Sequence, residues 1–159
     1  SGGIPRDENR VPMVAMDSFN VVKASPSAFA GGTANARGDY DGTSGSLTLF
    51  TVTGDVVVRV IGVCTTSLVG ASATVEVGTT KSTAGIIAQT TGTDIDENEL
   101  WHDASPDTDT ELATVAPAKF IVNGGDIIEK TGTANVTAGQ IYYICLWRPL
   151  SSGSSVVAA

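Results

Sequence analysis

His102 is the only histidine in the chain, and it stands between Trp101 and Asp103. Nucleophilic catalysis needs a histidine oriented by one group and hydrogen-bonded to an activated nucleophile. Neighbours on a strand point to opposite faces, so Asp103 is badly placed to orient His102, and no Gly-x-Ser-x-Gly elbow accompanies the pair. A Trp-His pair at a strand end or a subunit contact is the favoured reading. Carboxylates offer a second chemistry. In Asp94-Ile95-Asp96-Glu97-Asn98-Glu99 the oxygen-bearing side chains at 94, 96 and 98 alternate, an arrangement that invites a hard cation. The run departs from the EF-hand loop where geometry is strictest, with Glu99 for the sixth-position glycine and Ser105 for the twelfth-position glutamate. A solvated acidic loop, or one facing basic residues on a partner, is preferred to an irregular cation site. Glycoside hydrolysis by two of these carboxylates needs an aromatic-lined cleft, and aromatics make up only 6% of the chain.

Cys64 and Cys145 are the only cysteines, each inside an apolar run, Val60-Ile61-Gly62-Val63-Cys64 and Ile144-Cys145-Leu146. They read as two buried reduced thiols, with a disulfide between facing strands as the alternative. A zinc site needs more ligands than these two residues supply. Arg37-Gly38-Asp39 matches a tripeptide that some cell-surface receptors read, in a loop where exposure is expected. Three-residue matches are common by chance, so an ordinary turn with Gly38 at its apex is preferred. Neither Gly31-Gly32 nor Gly124-Gly125 is followed by a helix bearing Lys-Ser/Thr, so neither builds a phosphate cradle. No catalytic residue, cofactor site or metal site is assigned, and a protein that is not an enzyme is expected.

The elements that would carry these residues are strands. Charged residues are 16% of the 159, apolar residues 42%, and threonine, which suits a pleated half-buried surface, is abundant. A chain of this length can bury one adequate core without disulfide or metal. A first strand is expected at Phe19-Asn20-Val21-Val22-Lys23-Ala24, followed by a loop over residues 25–45 that is long enough to wrap a neighbouring subunit. Ser46-Leu47-Thr48-Leu49-Phe50-Thr51-Val52 opens the body. The run Asp55-Val56-Val57-Val58-Arg59-Val60-Ile61-Gly62-Val63-Cys64 is nearly continuous in apolar residues, which predicts a central strand covered on both faces. Arg59 must then find a carboxylate or the rim. Further strands are expected at residues 73–77, 86–89, 100–102, 111–115, 119–122, 127–130 and 140–148, with Asn123-Gly124-Gly125-Asp126 as a hairpin turn. Turn signals every 8 to 12 residues fit an antiparallel sandwich or jelly roll. Residues 151–159 form either a loose tail or an edge strand through Val156 and Val157.

Charge narrows the partners. The net charge is −8, and eight acids from Asp94 to Glu111 stand without one Lys or Arg among them. The other nine acids balance the nine bases, so no basic stripe tracks phosphates, and neither nucleic acid nor an anionic membrane is expected as a partner. No apolar run reaches the ~20 residues that span a bilayer, and Ser1-Gly2-Gly3-Ile4-Pro5 lacks the basic and apolar regions of a signal peptide. A soluble chain made in a cytoplasm is expected.

Ahead of the strands lies an arm, residues 1–17, whose Pro, Gly and mixed charges give neither helical nor strand period. Such a segment buries no core of its own and becomes ordered against a partner. The arm Gly3-Ile4-Pro5-Arg6-Asp7-Glu8-Asn9-Arg10-Val11-Pro12 resembles the Gly-Gly-x-x-Arg-Asp-x-Asn-Arg-Val-Pro segment near the start of many structural proteins of tailed bacteriophages. Leu49-Phe50-Thr51-Val52-Thr53-Gly54-Asp55-Val56, Ile95-Asp96-Glu97-Asn98-Glu99-Leu100-Trp101-His102-Asp103 and Cys145-Leu146-Trp147-Arg148-Pro149-Leu150 are similar to stretches of phage β-domains.

The resemblance implies a virion protein made in a host bacterial cytoplasm: a capsid decoration or cement protein, or a head-fibre protein. Its partners would be the major capsid protein or another virion protein and, as a homotrimer, itself. The attachment residues would be Ile4, Arg6, Asp7, Glu8, Asn9, Arg10 and Val11, with the charged ones supplying paired hydrogen bonds that fix register. The alternative is a tail- or fibre-associated adhesin that binds host-surface glycan through an exposed aromatic patch including Trp101 or Tyr40. The expected architecture is therefore all-β. The arm at 1–17 leads into a first strand and long loop at 18–45, an antiparallel β-sandwich of jelly-roll type at 46–150, and a tail at 151–159.

Overall fold

A computed structural model describes residues 19–42, 45–108 and 116–159. The ten strands in them are β1 (Asn20–Ala24), β2 (Ser46–Thr53), β3 (Val56–Val69), β4 (Thr74–Thr79), β5 (Ser82–Thr91), β6 (Leu100–Trp101), β7 (Lys119–Ile121), β8 (Ile127–Gly132), β9 (Ala138–Pro149) and β10 (Ser155–Ala158). They form a sandwich of two five-stranded sheets, antiparallel in every pairing. The first runs β1-β9-β3-β6, with β7 also on β3, and the second β10-β2-β8-β4-β5. The strand expected at 111–115 falls outside the described residues.

The long β3–β9 ladder organises the first sheet, registered from Val56 opposite Pro149 to Val69 opposite Ala138. Period-two alternation turns Val56, Val58, Val60 and Cys64 inward with Ile141, Tyr143 and Cys145. The second sheet answers with Leu49, Phe50, Val52, Val75, Val77, Ile87 and Ile127, and the two inner faces make one core. β3 is central, but it is not covered on both faces as its apolar run suggested. Val57, Arg59, Ile61 and Val63 form an outward row that is only half-buried. The run is apolar because the outer face of this sheet is itself apolar.

The turn at 123–126 is a second correction. Asn123 and Gly124 adopt the positive φ expected of them, 59° and 68°. They do not close a hairpin, because β7 pairs with β3 in the first sheet while β8 lies between β2 and β4 in the second. With Ile127, Ile128 and Glu129 all buried, β8 is an interior strand and needs full ladders on both sides. The three-residue β7 is too short to supply one. The crossing between sheets is held by the Asn123 N–H on Asp55 Oδ1 (2.8 Å) and the Gly124 N–H on the Gly54 carbonyl (2.9 Å).

The long loop before β2 does not leave the body to wrap a neighbour. Its Phe29 N–H donates to the Gly139 carbonyl (2.9 Å), its Gly31 N–H to Val136 (2.8 Å), and Val136 returns an N–H to Gly38 (2.9 Å). Residues 151–159 resolve in favour of the edge strand. β10 pairs with β2, burying Val156 and leaving Val157 exposed.

Candidate interaction surface

The expected attachment residues Ile4, Arg6, Asp7, Glu8, Asn9, Arg10 and Val11 lie outside the described residues. Phe19, Val21 and Lys23 share the outward side of β1, and the Phe19 ring lies 5.8 Å from the Arg59 guanidinium and 5.7 Å from that of Arg148. Arg59 also donates to the Ala116 carbonyl (2.7 Å), its hydrogen-bond partner among the described residues. Phe19 therefore lies on the outer face of the first sheet.

Register shows what that face carries. Val21 stands opposite Leu146, Lys23 opposite Ile144, Ile61 opposite Ile144, Val63 opposite Tyr142, and Val57 opposite both Arg148 and Phe120. Lys23 Nζ sits 4.2 Å from the centre of the Tyr142 ring. Val21 and Phe120 are 68% and 73% exposed. The outer face of the second sheet is of a different kind, with Thr48, Thr51 and Thr53 on β2 and Lys130 on β8 exposed. Its buried Glu76 accepts hydrogen bonds from Thr83 Oγ1 (2.6 Å) and Gln89 Nε2 (3.1 Å). Val157, also exposed, is the apolar exception there, and the outer face of the first sheet is the more apolar of the two.

The residues that suggested chemistry are mostly structural. Arg37-Gly38-Asp39 is not an exposed recognition tripeptide: Arg37 and Asp39 are only 4% and 6% exposed. Arg37 Nε and Nη2 donate to Glu129 Oε1 (2.9 Å) and Oε2 (2.6 Å), a bidentate pair, and Tyr143 Oη also donates to Glu129. The guanidinium is completed by the Ser27 carbonyl, Gln140 Oε1 and the Ile141 carbonyl, and the Phe29 ring covers it at 3.9 Å. Burial alone lowers the Arg37 pKa, but the Glu129 charge and its hydrogen bonds outweigh this and hold it above the ordinary value. Burial, reinforced by the Glu129 charge, pushes the Tyr143 phenol well above its ordinary value. Glu129 went unnoticed in the sequence, although its signal is legible. In Ile127-Ile128-Glu129-Lys130-Thr131 it shares a face with Ile127 and Thr131, and an inward glutamate demands a cation.

His102 is buried, with Nε2 3.0 Å from Asp107 Oδ2, while Nδ1 is 3.8 Å from Asp103 Oδ2 and has no hydrogen-bond partner. Asp107, five residues on, orients the ring, as its neighbour Asp103 was not expected to do. The adjoining Trp101 is fully buried and donates Nε1–H to Thr90 Oγ1 (2.8 Å). Asp94, Asp96, Glu97 and Asn98 are exposed, on a loop that leads from β5 into β6. The Asp96 N–H donates to Glu99 Oε2 (2.8 Å) and the Glu97 N–H to Ser67 Oγ (2.8 Å). Among the described residues no group of three or more His, Cys, Asp and Glu side chains is placed to hold a metal ion.

Cys64 and Cys145 are both free and buried. Cys145 pairs with Val60 on β3, four residues from Cys64, which puts the cysteines ~13 Å apart along the sheet and rules out a disulfide. Burial pushes the Cys64 thiol up to about 11 and the Cys145 thiol to about 12. A cleft of about 710 Å3 opens between the long loop, β2 and the end of β10, lined largely by Ala and Ser, and its one cation is the committed Arg37. Comparison with protein-family models, with curated proteins and with solved structures finds no match for this chain.

Proposed function

We propose that this protein is a non-enzymatic structural component of a tailed-phage particle. It attaches to the capsid through its arm and stabilises the shell as a decoration or cement protein. The reading rests on the resemblance of the arm and body to phage structural proteins. The structural observation that supports it is the apolar, cation-bearing outer face of the first sheet. A face of this kind, in a chain that also carries a charged, proline-containing arm, suits attachment to another protein, and repeated copies would turn weak contacts into avid ones. The polar side chains that suggested recognition or catalysis are instead paired within the fold, Arg37 with Glu129 and His102 with Asp107. The adhesin alternative loses Trp101, which is fully buried, and keeps only the partly exposed Tyr40. The jelly-roll character of the sandwich, the homotrimer and the location in the virion belong to this proposal as well.

Particles stripped of the protein and re-incubated with the full chain, or with a chain lacking residues 1–13, provide the test. The full chain is expected to bind and to raise the temperature at which the shell opens, and the truncated chain to do neither while keeping the same circular dichroism spectrum. Normal decoration by the truncated chain would overturn the attachment role of the arm.

A further inference from the structure

β7 lies at the margin of the first sheet and pairs with β3 alone among the described residues, so its other edge carries no ladder. The β4–β5 hairpin stands beside it at the margin of the second sheet, where β5 pairs with β4 alone. Two depressions of about 310 and 160 Å3 lie between β7 and the hairpin, and Thr79, Phe120 and Ile121 line both. They form one groove along β7. Lys81 borders the larger depression and Lys119 the smaller, and no Asp or Glu lines either. Neither lysine has an ion-pair or hydrogen-bond partner among the described residues. Asp55 and Asp126, near the Asn123 end, are engaged by backbone, accepting the Asn123 N–H (2.8 Å) and the Val52 N–H (2.9 Å). In a chain of net charge −8, a groove that holds two of the four lysines and no acid is a local reversal of sign.

A lysine on a strand edge ordinarily keeps other chains away. This edge also displays Phe120 and Val122, 73% and 61% exposed, and apolar groups beside an open edge favour the addition of a strand. We infer that the groove binds an extended acidic segment of a partner protein, which adds to the free edge of β7 through backbone hydrogen bonds. Register sets the pattern such a segment needs. Phe120 stands opposite the outward Val57, and Lys119 opposite the inward Val58. Alternate side chains of an added strand fall on the same two sides, so apolar residues lie beside Phe120 and carboxylates beside Lys119 and Lys81. Backbone pairing and apolar contact supply the affinity, and the two lysines select the sign of the partner. The groove uses none of residues 1–17, so this inference goes beyond attachment through the arm.

The test titrates the full chain into short fluorescent peptides in which Glu alternates with Val and Phe, and follows anisotropy at low and high salt. A peptide with Lys in place of Glu and an acidic peptide N-methylated at alternate amides are the controls. The acidic peptide is expected to bind, more weakly as salt rises, and to shift amide resonances at residues 79–82 and 119–123. A Lys81→Glu/Lys119→Glu variant is expected to weaken binding about tenfold, and Phe120→Ser to weaken it as well, with circular dichroism confirming that both fold. Absence of binding overturns the inference, as does equal binding of the Lys peptide, indifference to these substitutions, or shifts confined to other residues. Binding that survives N-methylation overturns strand addition. If light scattering finds the chain associating with itself and Phe120→Ser abolishes this, the groove belongs to a second copy and the acidic partner is overturned. A chain lacking residues 1–13 is expected to bind the peptide as the full chain does, which separates failure of this groove from failure of attachment to a particle.

Discussion

Glu129 buries its carboxyl group beside Arg37 in the middle of a hydrophobic core, and the cost of placing it there explains what surrounds it. Each carboxylate oxygen meets the Arg37 fork, and Tyr143 adds a third donor from the opposite sheet. Removing one partner of such a pair leaves a buried charge uncompensated. Arg37→Met is therefore expected to lower unfolding stability by about 3–5 kcal/mol in urea titrations. Tyr143→Phe removes one donor and is expected to cost about 1–3 kcal/mol. Replacing Arg37 and Glu129 together by apolar residues of similar volume should recover much of the loss, since the desolvation cost disappears with the charges. If the double variant were no more stable than Arg37→Met, the pair would not be acting as a buried charge.

The cysteines give a pH dependence at the same scale. Their thiols stay neutral in the fold up to about 11 for Cys64 and about 12 for Cys145, whereas in the unfolded chain a thiol ionises near ~8.5. Below that value both states are protonated and stability is undiminished. Above it the unfolded state alone loses protons, so stability falls with rising pH until the folded thiols ionise too. The melting temperature is expected to drop through this alkaline window, less steeply in a Cys64→Ala/Cys145→Ala variant. Both thiols should also resist alkylation near neutral pH in the folded protein.

Among the elements, the sequence was most legible where period and turn chemistry act locally. Runs of β-branched residues predicted β2, β3, β4 and β9 close to where they stand, and Asn123-Gly124 turned as those residues must. Strand pairing was not legible there, because positive φ fixes a turn but says nothing of which ladder the next strand joins. The same limit hid the end of the long loop. Nothing near Arg37 announces burial, since its partner Glu129 is 92 positions away. Gly139, at the β9 end of the β3–β9 irregularity, supplies a prediction of its own. Its φ is +117°, and a Cβ there would lie 2.5 Å from Leu68 Cδ2 and 2.7 Å from Leu68 Cα. Backbone cannot yield as a side-chain tip can. Gly139→Ala is expected to cost at least about 1–3 kcal/mol, read by calorimetry, through backbone strain and displacement of β3 together.

For the molecule as a whole, composition and pattern were enough to reach an all-β sandwich. They could not show that the polar residues most suggestive of chemistry would be consumed in the core. Nor could they show that the apolar surplus would collect on one outer face. Both outcomes depend on which strands share a sheet, a matter of contacts between residues far apart in sequence.

That distance also orders events in time. Arg37 meets Glu129 from β8, Gln140 and Ile141 from β9, and these partners exist as one cradle only after both sheets have paired and closed on each other. Contacts spanning so much chain are among the slowest to form, because closure entropy must be met first. The loop thus acts as a latch that drops after assembly. Substituting Arg37 is expected to leave the refolding rate nearly unchanged and to speed unfolding instead, in stopped-flow kinetics. The buried ion pair would then govern how long a folded copy lasts rather than how quickly it is made.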